Sequence, residues 1–253
     1  MPEMAAGNVH VDLGNGLEAY LAVADETAAE LLASDDRWVA TLREYDLHFR
    51  TRLWSEGAPD TMALILFMNA YQLFLAGVRT ALSGHSVAVF PLLRTALESA
   101  AYGGLIAAKP ELTTVWTNRH RDDAAKNACR NAFTFAKAIA PLKDRAPDIH
   151  DLAVLTHDGA IDFGAHPNIK GVFGHVSLDE DRSDDFAAVT HTSLYSARHI
   201  ETIRGLCACL DFGLAIIGVI ALAGAFPSAQ VVSELQALND AKNTATEPYS
   251  APP

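Results

Sequence analysis

Arg94, Glu98 and Tyr102 recur at every fourth position of SVAVFPLLRTALESAAYGGLIAA, residues 86–108. In a helix that spacing puts all three on one face. Their neighbours are Leu92, Leu93, Leu97, Ala100 and Ala101, so the charges must find partners or carry a large desolvation cost. Two readings stay open. The pair is a bridge that fixes packing, or it lines a polar pocket in which Arg94 holds an anion or carboxylate and Glu98 orients it or acts as a base. Asn69, Gln72 and Arg79 run along one edge of the apolar stretch LILFMNAYQLFLAGVR. If that edge faces Arg94 and Glu98, two helices enclose a hydrogen-bonding seam, which serves packing as readily as a ligand.

A further candidate is the segment Gly164-Ala165-His166-Pro167-Asn168. Binding residues concentrate in loops, and a histidine there can carry a proton near neutral pH. His166 and Asn168 are therefore candidate ligand-binding residues, the other reading being that they cap adjacent backbone. His157, Asp158, Asp162, His166, His175 and His191 crowd into one region. None of these histidines forms a His-x-x-x-His pair, and the HExxH motif is absent. The expectation is no metal site; His157, Asp162 and His166 would be the ligands of one. There is no phosphate loop GxxxxGK[ST], no GxGxxG after a strand and no GxSxG elbow, and no cofactor is expected. The basic run NRHRDD (118–123), with Lys126 and Arg130, reads as a solvated helix face.

These residues sit on a chain that reads as helix almost throughout. A first helix spans Glu18 to Leu32. Asp35 or Asp36 offers an N-cap to a second, through about Ser55, with the stripe Trp38, Leu42, Tyr45, Phe49 and Leu53. Asp60 caps a third over 61–83, which stops at Gly84, and Ser86 opens the fourth, with Pro91 near its first turn. Pro110 begins a fifth containing Trp116. A rhythm from Ala125 to Ile139 ends at Pro141, and Pro147 starts a helix to about Asp162. The rhythm breaks at 163–191, where Val172–Val176 and Phe186–Val189 form a short hairpin or stay irregular. A long helix returns from Tyr195 to Ala225, and a short one covers 228–242.

The chain has 253 residues, half of them hydrophobic, and a formal charge of −12. That length supports a substantial core, and the apolar share excludes disorder across the whole chain. The acidic balance disfavours an extended DNA or RNA surface, which neutralises phosphates with Lys and Arg. Residues 212–226 are all apolar or small, and Asp211 interrupts their extension toward LCACL at 206–210. Their length lies between a buried helix and a membrane span; without flanking basic residues, a central core helix is predicted and a membrane role disfavoured. Cys129, Cys207 and Cys209 fit neither a disulfide scaffold nor a zinc pattern. With no signal peptide visible at the start, reducing cytoplasm is the expected compartment.

The run LLRTALESAAY (92–102) followed by FGAHPN (163–168) resembles uncharacterised all-helical bacterial families in which an Arg-x-x-x-Glu helix packs near a later His-Pro turn. These are similar in turn to the helical nucleotide-binding domains of prokaryotic toxin, defence and abortive-infection systems. The resemblance covers roughly residues 60–225. It implies a helical bundle, commonly dimeric, and for some members metal-independent RNA cleavage by an arginine followed, after a short spacer, by a histidine. Arg43 and His48, Arg79 and His85, and Arg145 and His150 all meet that spacing. Arg79 and His85 match best because they bracket a helix end. There the histidine would move the proton and the guanidinium would stabilise added charge. The polar residue expected directly after the arginine is Thr80 here, not Asn, Asp or His.

The sequence thus predicts an all-α protein: one multi-helix bundle of about eight helices over 17–242, with a flexible start at 1–16, a disordered tail at 243–253 and a loop or short β-hairpin at 163–191. It predicts a cytoplasmic homodimer. The first functional expectation is a helical binding or regulatory module for a small anionic ligand, using Arg94, Glu98, Tyr102, His166 and Asn168. The alternative is a metal-independent ribonuclease acting through Arg79 and His85.

Overall fold

The side chains around each helix end explain much of where the helices begin and stop. Asp60 accepts hydrogen bonds from the Met62 and Ala63 amides at 2.8 and 3.3 Å and so starts a helix at Thr61. Asp122 does the same for the Ala125 amide and Thr134 for the Lys137 amide. At the second helix the expected position is occupied differently. The Asp36 carbonyl accepts from the Val39 and Ala40 amides, while its carboxylate receives the Ser34 hydroxyl and Arg198.

The computed structural model describes residues 16–51, 60–165, 169–179, 188–223 and 228–250. Within these, the helices in chain order are α1 (Gly16–Ala33), α2 (Arg37–Thr51), α3 (Thr61–Leu82), α4 (Ser86–Ala108), α5 (Leu112–Thr117), α6 (Asp123–Ala132), α7 (Phe135–Ile139), α8 (Leu142–Arg145), α9 (Pro147–Ala160), α10 (Ile169–Phe173), α11 (Ile200–Ala221) and α12 (Ala229–Ser250). Strands β1 (Val176–Asp179) and β2 (Ala188–His191) lie between α10 and α11. The all-helical expectation holds, with more helices than the expected eight or so. The surplus comes from α7, α8 and α10, each of five residues or fewer. The rhythm from Ala125 to Ile139 is one such case, because Thr134 caps a new helix in the middle of it.

α3 and α4 lie side by side as an antiparallel pair, and α11 packs across both and against α2, α9 and α12. The contact is close enough that a Cβ at Gly213 of α11 would come within 2.5 Å of the Tyr45 ring. Phe49 stacks on Tyr71 at 4.9 Å and meets Phe74 at 5.3 Å. Leu206, Leu210, Ile216 and Ile217 are fully buried, and each contributes about 2 kcal/mol of apolar transfer. The expected central helix is therefore the core of the molecule. By length and hydropathy, α3 and α11 would both suffice to cross a membrane, but 78% of the apolar window of α11 is buried inside this fold, against 33% for α3. Asp211, the charge within that apolar run, is bonded by Lys242 of α12 at 3.0 Å.

Three segments differ from expectation. Residues 169–173, expected in part as a strand, form α10, which closes when the Gly174 amide donates to the Lys170 carbonyl. The hairpin exists, antiparallel, but begins at Val176, which pairs with His191. The expected loose tail is helical over 243–250: Ala245 is buried and Tyr249 packs on Trp38 at 5.2 Å. α9 continues into a widened turn, Ile161–Ala165, where Gly164 has a φ of +121°.

The link between α3 and α4 is tied to a distant part of the chain. Gly84, at φ +74°, donates its amide to the Ala81 carbonyl and accepts from the Tyr195 amide at 3.0 Å. A Cβ there would lie 2.0 Å from the Tyr195 carbonyl oxygen, so only glycine meets both the left-handed backbone and the close approach.

Candidate functional site

Ser86, Phe90, Arg94, Glu98 and Tyr102 follow one another at four-residue intervals along α4 and form a single ridge. The middle of this ridge is the predicted polar pair. Arg94 Nε donates to Glu98 Oε1 at 3.0 Å, and His157 of α9 brings its Nε2 to the same oxygen at 3.1 Å. The His157 ring lies flat on Phe135 of α7, which holds it in place from the other side. Burial pushes the Glu98 carboxyl up, but the bond from His157 and the Arg94 charge outweigh it and hold Glu98 below its ordinary value. The carboxylate is thus ionised at neutral pH and joins α4 to α9.

Tyr102 stands one turn further along but joins a different group. Its ring packs against Trp116 and Phe133, each at 5.6 Å, and burial together with the Glu98 charge pushes its phenol up to about 12. Asn69 does reach α4, donating to Ser99 Oγ at 2.9 Å. Gln72 is exposed. The partner that completes Glu98 comes from α9 and not from this edge of α3. His157 entered the sequence reading only as a metal ligand. The signal it offered was a histidine among the apolar positions of an amphipathic helix.

Arg79 and His85 are both drawn to α1. Arg79 is bonded to Asp25, and the His85 Nδ1 shares a 2.8 Å hydrogen bond with the Tyr20 hydroxyl. Burial lowers the His85 pKa. His166 and Asn168 lie outside the described residues. Among the described residues no group of three or more His, Cys, Asp or Glu is placed to hold a metal; Asp162 is bonded by Lys170 at 2.7 Å. Cys129 and Cys209 are buried free thiols and Cys207 is half-buried, its pKa pushed up to about 11 by burial and by Asp211.

At the N-terminal end of the ridge is a cavity of about 340 Å³. Ser86 and Phe90 of α4, Phe163 of the widened turn, α10 with the residues after it, and Glu201 and Arg204 of α11 form its walls. Phe90 and Phe163 stack at 5.4 Å. Arg204 is bonded to Glu201 and stands over the Phe163 ring, 6.0 Å from its centroid. His175 shares a 2.7 Å hydrogen bond with the Tyr195 hydroxyl through Nδ1, and burial lowers its pKa. Ser86 is only 3% exposed, and its hydroxyl has no hydrogen-bond partner. Leaving such a group unpaired costs about 1–3 kcal/mol. The residue before it, His85, supplies no side-chain cap to α4.

In comparisons with family models, curated proteins and solved structures, nothing matches this chain. The chemistry of the site is therefore argued from its own geometry.

Proposed function

We propose that this chain is a helical binding module whose ligand is a small anionic molecule held in the cavity at the start of α4. The Arg94–Glu98–His157 cluster is the frame that sets α4 against α9. The observation that carries this reading is the cavity itself, with the buried, unpartnered hydroxyl of Ser86 behind its wall. A polar group left unpaired inside a protein is a cost, and a ligand oxygen relieves it once the Ser86 hydroxyl turns toward the cavity. The first turn of α4 adds helix amides without a side-chain cap, which favour negative charge; Lys170 and Arg204 stand in the same wall, paired with Asp162 and Glu201.

A thermal-shift screen of small carboxylates and phosphates against the whole chain and Ser86→Ala tests this reading. The expected result is a ligand that raises the melting temperature of the parent chain and has little effect on Ser86→Ala. Equal shifts in both proteins, or no shift with any anion, overturn the reading.

A further inference from the structure

The outer side of α3 carries a pattern that the fold itself does not use. Its inner residues Ala63, Leu66, Phe67, Ala70, Phe74 and Gly77 are buried, on a helix that packs against α4 and α11. Facing away, Thr61, Ile65, Met68, Gln72, Leu75 and Arg79 are exposed, at alternating steps of four and three. That is the seven-residue rhythm of a coiled-coil seam, here on the solvent side. We infer that this stripe is an interface between two copies of the chain, α3 packing antiparallel on α3 about a two-fold axis near residue 70.

Ile65 is 50%, Met68 48% and Leu75 39% exposed, which is apolar surface that water meets at a cost. The choice of a second copy rests on charge. The chain carries −12, so two copies repel wherever their acidic surfaces meet. From residue 61 to residue 78 there is no charged side chain. Beside the stripe Arg79 is bonded to Asp25 and Arg50 to Asp46, so each pair is neutral. This is a face on which a strongly acidic chain can meet itself. A membrane surface fits less well. Gln72 stands in the middle of the stripe with Asn69 beside it, and the basic rim of a lipid-bound helix is missing.

Antiparallel pairing sets Ile65 of one copy on Leu75 of the other in the two outer layers, and Met68 on Gln72 in the two inner ones. The two Gln72 amides then flank the axis. Each has a donor and an acceptor, so a two-fold makes them complementary to one another. A single polar residue in such a seam also fixes its register. Alongside, Asn69 donates to Ser99 of α4, and Leu92 and Thr95 extend the face without charge. The 22 residues of α3 span about 33 Å, and with α4 beside it the face is about 20 Å wide. It covers on the order of 600 Å² on each copy, and the total of about 1,200 Å² reaches the range of specific interfaces.

Sedimentation equilibrium of the full chain, of Met68→Glu and of Gln72→Lys tests the interface. The parent chain is expected to form a dimer of twice 27.1 kDa. Each variant alone should dimerise at least about a hundredfold more weakly, and mixing the two should restore the dimer, because the new carboxylate meets the new ammonium. Disulfide trapping reads the geometry, with the parent chain as the control for its own cysteines. Ile65→Cys mixed with Leu75→Cys should cross-link, whereas Ile65→Cys alone should not, its counterpart lying about 15 Å away. A parent chain still monomeric at about 100 μM overturns the proposal, and a dimer that both charged variants retain overturns this surface. Self-cross-linking of Ile65→Cys overturns the antiparallel arrangement. A monomer that binds phosphatidylcholine vesicles, and no longer does so as Met68→Glu, makes a membrane the occupant and overturns the second copy. Both charged substitutions fall at exposed positions, and circular dichroism confirms that each variant keeps its fold.

Discussion

His157 lies face to face with Phe135, ring centroids 3.9 Å apart and planes within 6°. That stacking fixes the imidazole so that its Nε2 meets Glu98, and α7 thereby holds a hydrogen bond that runs between α4 and α9. Phe135→Leu is expected to keep the apolar volume but release the ring. Double-mutant cycles with His157→Ala should show a coupling of about 0.5–1.5 kcal/mol between the two residues, measured by urea unfolding.

Glu98 gives the molecule a specific acid sensitivity. Its carboxyl is held below the ordinary 4.5 once folded. The group therefore adds stability that is fully present above the unfolded value and is lost as the pH falls through the folded one. Glu98→Gln should lower stability at neutral pH and flatten its decline below about pH 4.5. Parallel urea titrations at neutral and acid pH check both parts; an unchanged slope would show that the charge of Glu98 does not matter.

Arg94→Ala leaves Glu98 half-buried with only His157 beside it. A loss of about 1–3 kcal/mol is expected in chemical denaturation. Because Arg94 belongs to the frame and not to the cavity wall, the variant that remains folded should still take the ligand.

Ser86→Ala reverses the usual relation between stability and function. The hydroxyl is buried without a hydrogen-bond partner, so its removal should leave stability unchanged or raise it by up to about 1 kcal/mol, while ligand binding falls. A denaturation midpoint clearly below that of the parent chain would show that the hydroxyl is satisfied after all.

Gly84→Ala should be among the most damaging single changes. It meets both a left-handed backbone and a carbonyl oxygen 2.0 Å from the new methyl, and a loss of about 2–4 kcal/mol is expected. Amide exchange should show Tyr195 and its neighbours opening together with the start of α4.

The ridge on α4 was legible in the sequence because four-residue spacing is a property of the helix alone. The same was true of Asp60, whose capping role needs only the next three residues. What lay hidden depended on packing between distant segments. His157 comes 59 residues after Glu98, and no local pattern says that α9 and not α3 will face it. The missing partner of Ser86 is a property of space around an atom. The strand expected through Val172 was read from apolar β-formers, yet Gly174 closes a helical turn on Lys170. The polar segment from Asn243 seemed to lack a reason to be ordered, and the reason is Trp38 on α2, against which Tyr249 rests.

The junction of Gly84 with Tyr195 also constrains the order in which the molecule can be made. It joins points roughly 110 residues apart, so its closure carries a loop entropy that the neighbouring α3–α4 pair does not. The cavity walls are drawn from both sides of that junction: Ser86 and Phe90 just after one end, His175, Glu201 and Arg204 around the other. The pocket is therefore complete only when that long-range closure is made. A ligand seated there should slow unfolding more than it speeds folding, and its residence time would report whether the chain is fully closed.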